Sequence, residues 1–236
     1  MGDAVSVQGL HRAFGPVVAV AGATWSAPSG AVTAVLGPNG AGKTTTLECV
    51  VGLQRPDGGT VRVLGADPWR SSAAHRARVG VMLQDGGLPT TARPLRLLAH
   101  LASLHQHPRD VSALATRLGI DGFARTTVRR MSGGQRQRVA LAAALVGAPE
   151  VALLDEPTAG LDPHARREVW DLVREEADAG TCVVLTTHSF EEAERLADRV
   201  VVLAAGVVVA DGTLAEVRGD RPLEDVYFEL TERAPR

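Results

Sequence analysis

The stretch Gly37-Pro-Asn-Gly-Ala-Gly-Lys-Thr-Thr45 concentrates residue types suited to holding phosphate. It fits the spacing Gly, four residues, Gly-Lys-Ser/Thr, in which each residue type has a task. Gly40 and Gly42 can take φ > 0 and turn backbone N–H groups toward an anion with no Cβ in the way. A helix opening at Thr44 adds its unpaired N–H groups and the positive end of its dipole. In such loops the lysine, here Lys43, reaches the β and γ phosphates, and the hydroxyl, here Thr44, faces Mg²⁺. The expected phosphate ligands are therefore Gly37, Pro38, Asn39, Gly40, Ala41, Gly42, Lys43, Thr44 and Thr45. Lys43 is the only lysine in the chain; the other cationic side chains are Arg or His. An Arg-rich chain that keeps one lysine here calls for a compact point charge rather than a planar fork.

Two adjacent carboxylates, Asp155 and Glu156, follow the apolar run Val151–Leu154. Beside a bound Mg-nucleotide, one carboxylate orients the cation and its waters while the other polarises the attacking water. Alone, the pair reads as an acidic loop after a core strand; a phosphate loop in the same α/β core makes it a hydrolytic pair. Ser132-Gly-Gly-Gln135 opens a further helix, with Ser132 and Gln135 forming a capping box. Gly133 and Gly134 fit that reading poorly, because Gly costs about 1 kcal/mol against Ala inside a helix. Bare N–H groups at a helix start suit an anion. Arg129, Arg130, Arg136 and Arg138 around this start read as a solvated face first and as a source of positive potential second. Gln84 and His188 each end an apolar strand, the place where α/β sheets bind ligands, but each taken alone reads more simply as a local hydrogen-bonding residue. His105 and His107 sit in a polar loop with no Cys or further His nearby and are assigned no metal.

An alternation of strands and helices must position these groups. Ala31–Leu36 reads as a buried strand before the phosphate loop and Thr44–Val51 as the helix after it. Upstream, Ala4–Leu10 and Val17–Ala23 are strands around a turn at Ala13–Pro16, and Ser26–Gly30 is another turn. Thr60–Leu64 and Val79–Leu83 are further strands. The period then turns helical: Leu95–Gln106 has apolar residues at 95, 97, 98, 101 and 104. Val111–Leu118 follows with Asp110 as cap. Residues 86–148 therefore read as a helical insertion within a single domain of residues 1–236. The core resumes with Val151–Leu154, and a helix over Pro163–Ala179 has Asp162 as N-cap and Pro163 at its first position. Thr181–Thr187 is a β-branched strand, and Ser189 with Glu192 forms a capping box on the next helix. Val200–Leu203 pairs with Val207–Ala210, and helices open at Thr213 and Leu223.

With 236 residues and a net charge of −2, the chain can form one large domain or a core with an insertion. A pI near 6.4 argues against a nucleic-acid-binding face, which is usually basic. Cys49 and Cys182 lie in apolar contexts, as buried thiols of a reducing compartment do. The N-terminus is not an apolar stretch of the secretory kind. The longest apolar run, Val200–Ala210, contains Gly206 and falls short of the ~20 residues a spanning helix needs. The expectation is a soluble chain, or one held at a membrane only through a partner.

The order phosphate loop, Gln84, Ser132-Gly-Gly-Gln135, Asp155-Glu156, Gly160-Leu-Asp162 and His188 resembles the ATP-binding subunits of ABC transporters. The resemblance covers nearly the whole chain, and the Ser-Gly-Gly-Gln signature is specific to that family. It implies an α/β fold: a P-loop NTPase (RecA-like) core with an N-terminal antiparallel β subdomain and an inserted α-helical subdomain. It implies ATP and Mg²⁺ as ligands. Phe14 resembles the ring that stacks on adenine, usually a Tyr. Gln84 resembles the glutamine that senses Mg²⁺ and faces the membrane partner. Asp155 resembles the Mg²⁺ residue, Glu156 the catalytic base, and His188 the histidine that holds the γ-phosphate. Met131–Gln135 matches the signature, with Met for the usual Leu. Ser132, Gly133, Gly134, Gln135 and Asp162 would then meet the nucleotide of a second, identical or similar subunit. The implied partner is a separately encoded membrane permease, with the chain peripheral at the cytoplasmic face of the membrane.

Within the family the resemblance is greatest to drug-export ATPases of the ABC-2 type. Their usual phosphate loop is Gly-Pro-Asn-Gly-Ala-Gly-Lys-Thr-Thr-Thr, and the tail Leu223–Thr231 resembles their Leu-Glu-Asp-Val-Phe ending. One stretch departs: Leu88–Leu97 lacks the acidic residue that the family usually carries after the glutamine. Non-transport ABC proteins tend to carry tandem cassettes, long coiled coils or zinc motifs, which this sequence does not. A guanine-reading Asn-Lys-x-Asp is impossible with Lys43 the only lysine. A small-molecule kinase leaves the signature and His188 unexplained. An ABC importer or lipoprotein-release ATPase shares the same ATPase motifs, so import and export stay open on these residues.

Overall fold

A computed structural model of the chain describes residues 2–83 and 87–233. The first elements are β1 (Asp3–Phe14), β2 (Val17–Pro28), β3 (Val32–Leu36), α1 (Lys43–Val51) and β4 (Gly58–Val63). β1 pairs antiparallel with β2 on one side and β4 on the other, forming a sheet of order β2-β1-β4. β2 runs through the stretch whose Ser and Pro suggest a turn. Its alternate residues Ala23, Trp25 and Ala27 are buried, and period-two burial holds it extended. The turn is confined to Ser29 and Gly30.

Next come α2 (Ala73–Arg76), β5 (Val79–Met82), α3 (Pro94–Ala102), α4 (Val111–Arg117), α5 (Gly133–Leu145) and β6 (Val151–Asp155). Between β5 and β6 the described residues form helices and no strand. α3 stops before the expected Gln106. Leu104, whose apolar character extended the period, is 64% exposed, and the Ser103 hydroxyl donates to the His100 carbonyl at 2.7 Å. Ion pairs tie this helical segment to α6 (Pro163–Asp178): Arg109 to Glu176 at 2.5 Å and Arg117 to Glu175 at 2.7 Å. Burial pushes the Glu176 carboxyl upward, and Arg109 opposes that shift.

The chain closes with β7 (Cys182–Thr186), α7 (Phe190–Leu196), β8 (Arg199–Ala204), β9 (Val207–Thr213), α8 (Leu214–Arg218) and α9 (Leu223–Glu232). The second sheet has the order β5-β6-β7-β3-β8-β9, parallel except for β9. Every residue of β3, β6 and β7 is buried, which explains their unbroken apolar runs. Alternate residues of β3 serve opposite cores. Val32, Ala34 and Leu36 pack with the helical segment, α6 and α7, whereas Val35 packs with β1, β2 and α1. The strand leading into the phosphate loop is thus clamped from both faces.

Cys49 and Cys182 are free and buried, and burial pushes their thiols up to about 11 and about 12. Thiolate is the reactive form. The native chain is therefore expected to resist a thiol-specific reagent at pH 8 and to react at both cysteines once denatured. Rapid labelling of the folded chain would contradict this burial.

Candidate functional site

β6, β7 and β3 are consecutive and parallel, so their C-terminal ends open at one edge of the sheet. The phosphate loop follows β3, Glu156 follows β6, and His188 follows β7. Residues far apart in sequence meet there, outside the carboxyl ends of the strands, where such sheets bind ligands.

The phosphate loop closes on the rest of the fold at Gly42, the N-cap of α1, with φ 95°. A Cβ on Gly42 would run into the Ala19 carbonyl of β2, so glycine is required by conformation and by space. Lys43 is 9% exposed, and its Nζ donates to the carbonyls of Gly37 at 2.6 Å and Pro38 at 3.1 Å. Burial lowers its pKa, against the raising effect of Glu156 and Asp155. The Thr44 hydroxyl lies 3.5 Å from Asp155 Oδ2, and the Thr186 hydroxyl donates to Asp155 Oδ1. Burial raises the pKa of Asp155, with Thr186 opposing. A buried carboxylate facing a threonine hydroxyl is a hard-oxygen donor set, and a divalent cation would favour its charged form. The residues fit Mg²⁺.

A cleft of about 350 Å³ opens over this loop, lined by Phe14, Ala19, Lys43, Thr44, Asp155 and Glu156 among others. The Phe14 ring is 44% exposed, and the Arg12 guanidinium lies 4.6 Å from its centroid. Arg12 is held in turn by Asp57 at 2.9 Å and Gln54 at 3.0 Å. Arg12 was not singled out by the motifs, since its partners lie on a distant turn.

Glu156 has φ 49°, a left-handed conformation uncommon for a non-glycine residue. Its N–H donates to the Thr186 carbonyl at 3.1 Å, and its own carbonyl accepts from Gln137 Nε2 at 2.5 Å. His188 Nδ1 lies 3.1 Å from Glu156 Oε1, with the histidine side chain 70% exposed and the carboxylate 15%. Held on both sides, the backbone keeps a strained residue at the mouth of the cleft.

Ser132 and Gln135 form the expected capping box: Ser132 N–H to Gln135 Oε1 at 3.0 Å and Gln135 N–H to Ser132 Oγ at 3.2 Å. The two glycines between them differ. A Cβ on Gly134 would sit 3.2 Å from the Gly160 carbonyl, so close packing inside the chain accounts for it. A Cβ on Gly133 would meet open space. Gly133 lines a separate cavity with Leu88 and Val128, which shares no lining residue with the phosphate-loop cleft. Asp162 caps α6, accepting from the N–H groups of His164 and Ala165 at 3.0 Å. Gln84 lies outside the described residues. The expected second capping box is only half present. Ser189 Oγ accepts from the Glu192 N–H at 3.2 Å, but the Glu192 carboxylate turns inward to Thr158 and Trp170. The Ser189 N–H is already satisfied by Thr187 Oγ1 at 3.0 Å, which leaves the Glu192 carboxylate to the two buried donors.

The family profile described as ABC transporter matches residues 20–159. The chain belongs to the ABC transporter family. Over 228 residues it is 43% identical to the daunorubicin resistance ATP-binding protein DrrA3 of Streptomyces coeruleorubidus, spanning 92% of this chain and 72% of that protein. It is 35% identical over 233 residues to the Nod factor export ATP-binding protein I of Rhizobium leguminosarum bv. viciae, spanning 95% and 75% of the two chains. A solved ATP-binding subunit of an ABC transporter superposes with a TM-score of 0.88 at 25% identity, covering 96% of this chain and 99% of that one. This ABC chain is thus an ATP-hydrolysing transporter subunit. Its fold is the P-loop NTPase (RecA-like) core with an N-terminal antiparallel β subdomain and an inserted helical subdomain. That fold implies ATP and Mg²⁺ as ligands.

Proposed function

We propose that this ABC subunit binds Mg-ATP between two copies, or between itself and a similar subunit, and hydrolyses it to drive a separately encoded permease in export. The observation that carries the reading is the convergence of Lys43, Thr44, Asp155, Glu156 and His188 at the ends of three neighbouring parallel strands. Residues 37–45 cradle the phosphates with backbone N–H groups, and the Lys43 ammonium turns from the Gly37 and Pro38 carbonyls to the β and γ phosphates. Phe14, supported from behind by Arg12, offers a ring face to adenine. Thr44 and Asp155, with Gln84, hold Mg²⁺, which when bound neutralises charge on the phosphate oxygens. Glu156 takes the proton of the attacking water, and His188 keeps the γ-phosphate in line with it.

Ser132, Gly133, Gly134, Gln135 and Asp162 act on the partner's nucleotide. Two observations support this. The open space at Gly133 leaves a helix N-terminus free to meet an anion, and the signature lies outside its own chain's phosphate-loop cleft. The helical segment of approximately residues 86–148 carries this signature within the single domain. The names of relatives in drug resistance and Nod factor export support export over import. We place the subunit at the cytoplasmic face of the membrane, peripheral through its permease. No described helix is long and apolar enough to cross a membrane.

If ATP fills the gap between two copies, assembly must follow nucleotide. Sedimentation of Glu156→Gln is expected to show monomers alone and dimers with Mg-ATP. A stable dimer without nucleotide counts against the shared site.

A further inference from the structure

Glu192 on α7 has no part in the reaction as proposed, yet it is 1% exposed. A carboxylate so deeply buried is costly unless hydrogen-bonded. Its Oε1 accepts from the Thr158 hydroxyl at 2.8 Å and from the Trp170 indole N–H at 2.9 Å. The three residues come from three places: the loop after Glu156, the middle of α6, and the helix after His188. The Arg195 and Arg166 guanidiniums, from α7 and α6, lie 5.3 and 6.0 Å from the Trp170 ring centroid.

We propose that Glu192 is a positioning residue that ties the loop following Glu156 to the helix following His188, and so sets the contact between those two side chains. The inference rests on the roles given to Glu156 and His188 above. The geometry runs as a closed ring. Glu156 stands in a left-handed conformation that its surroundings must over-determine. Its backbone is held from one side by Gln137 and Thr186. On the other side the loop continues to Thr158, 6% exposed, whose hydroxyl is anchored on Glu192. Glu192 belongs to the helix capped by Ser189, and the Ser189 N–H donates to Thr187 Oγ1 at 3.0 Å. His188 is therefore fixed to the same helix that grips Thr158. Releasing Thr158 lets the loop and the histidine drift apart, and the 3.1 Å contact between His188 and Glu156 is lost.

Steady-state ATP hydrolysis and thermal midpoints of purified variants test this. Thr158→Val removes the hydroxyl at nearly constant volume. It is expected to lower kcat on the order of 10- to 100-fold, the scale of a small misplacement at a reacting centre. KM for ATP should stay within about twofold, because nucleotide binding is untouched. Thr158→Ser, which keeps the donor, should stay within about threefold of wild type in kcat. Trp170→Phe removes the other donor but leaves Thr158 anchored. It should lower the thermal midpoint at least as much as Thr158→Val while keeping kcat within about threefold. Glu192→Gln, whose amide oxygen still accepts both bonds, should retain more activity than Glu192→Leu. Wild-type kcat in Thr158→Val, or a loss of kcat that tracks the thermal midpoint across Thr158 and Trp170 variants alike, overturns the proposal. Wild-type hydrolysis by Glu156→Gln would instead remove the reading beneath it, whatever Thr158 does.

Discussion

Glu156→Gln is expected to bind ATP as the wild type does and to hydrolyse it roughly 10²- to 10⁴-fold more slowly, the usual contribution of a positioned base. The amide matches the carboxylate in shape but cannot take a proton from water. The side chain is 15% exposed and sits 3.1 Å from His188, so it is aimed into the cleft and kept from bulk solvent. The substitution leaves the backbone features of the site alone. Glutamine meets the same φ of 49° with the same Cβ, and the bonds to Thr186 and Gln137 are made by the main chain. The phosphate loop and Lys43 are untouched, so nucleotide affinity survives. Phosphate release and equilibrium ATP binding separate the two effects. A wild-type rate would assign the base to another group, and a loss of binding would make Glu156 a ligand rather than a base.

Lys43→Ala is expected to weaken ATP binding about 1,000-fold. Two unit charges 4 Å apart interact by about 4 kcal/mol at an effective dielectric near 20. Each 1.4 kcal/mol is worth tenfold in affinity, so the loss spans about three decades. No other lysine exists to compensate, and the ammonium already lies at the loop, 2.6 Å from the Gly37 carbonyl. Folding should survive, since Lys43 is the first residue of α1 and alanine is a good helix former there. Unchanged affinity, measured by equilibrium titration, would refute the site.

Lys43 and Glu156 could be picked out as candidates because local spacing marks them, and the structure brings both to one edge of the sheet. Local spacing also marks the signature, whose capping box formed as expected, and Asp162 as the cap of α6. The order of the strands was not legible. That β6, β7 and β3 are neighbours depends on the packing of the whole core, and no short stretch encodes it. Long-range supports were missed for the same reason: Arg12 behind Phe14, Gln137 on the Glu156 carbonyl, and Thr186 on Asp155. Glu192 was misread because its spacing from Ser189 matches a capping box, whereas burial turned its carboxylate toward Thr158 and Trp170. β2 was cut short because Ser26 and Pro28 are turn formers, yet the alternation through Trp25 and Ala27 kept the strand going. The glycines of the signature were both read as exposing N–H groups to an anion. Only Gly133 needs that account, since Gly134 is crowded by Gly160.

If the site is shared between two copies, two variants that are each inactive should repair one another when mixed. Ser132→Arg blocks the signature with a bulky side chain and leaves its own phosphate loop intact. Lys43→Ala disables the loop and leaves its own signature intact. In a mixed dimer with shared sites, one site carries both lesions and the other carries neither. Mixing should therefore restore part of the ATPase activity that each variant lacks alone. No recovery, with mixed dimers shown to form, would contradict the account: each signature would then act within its own chain, or both sites would have to work together.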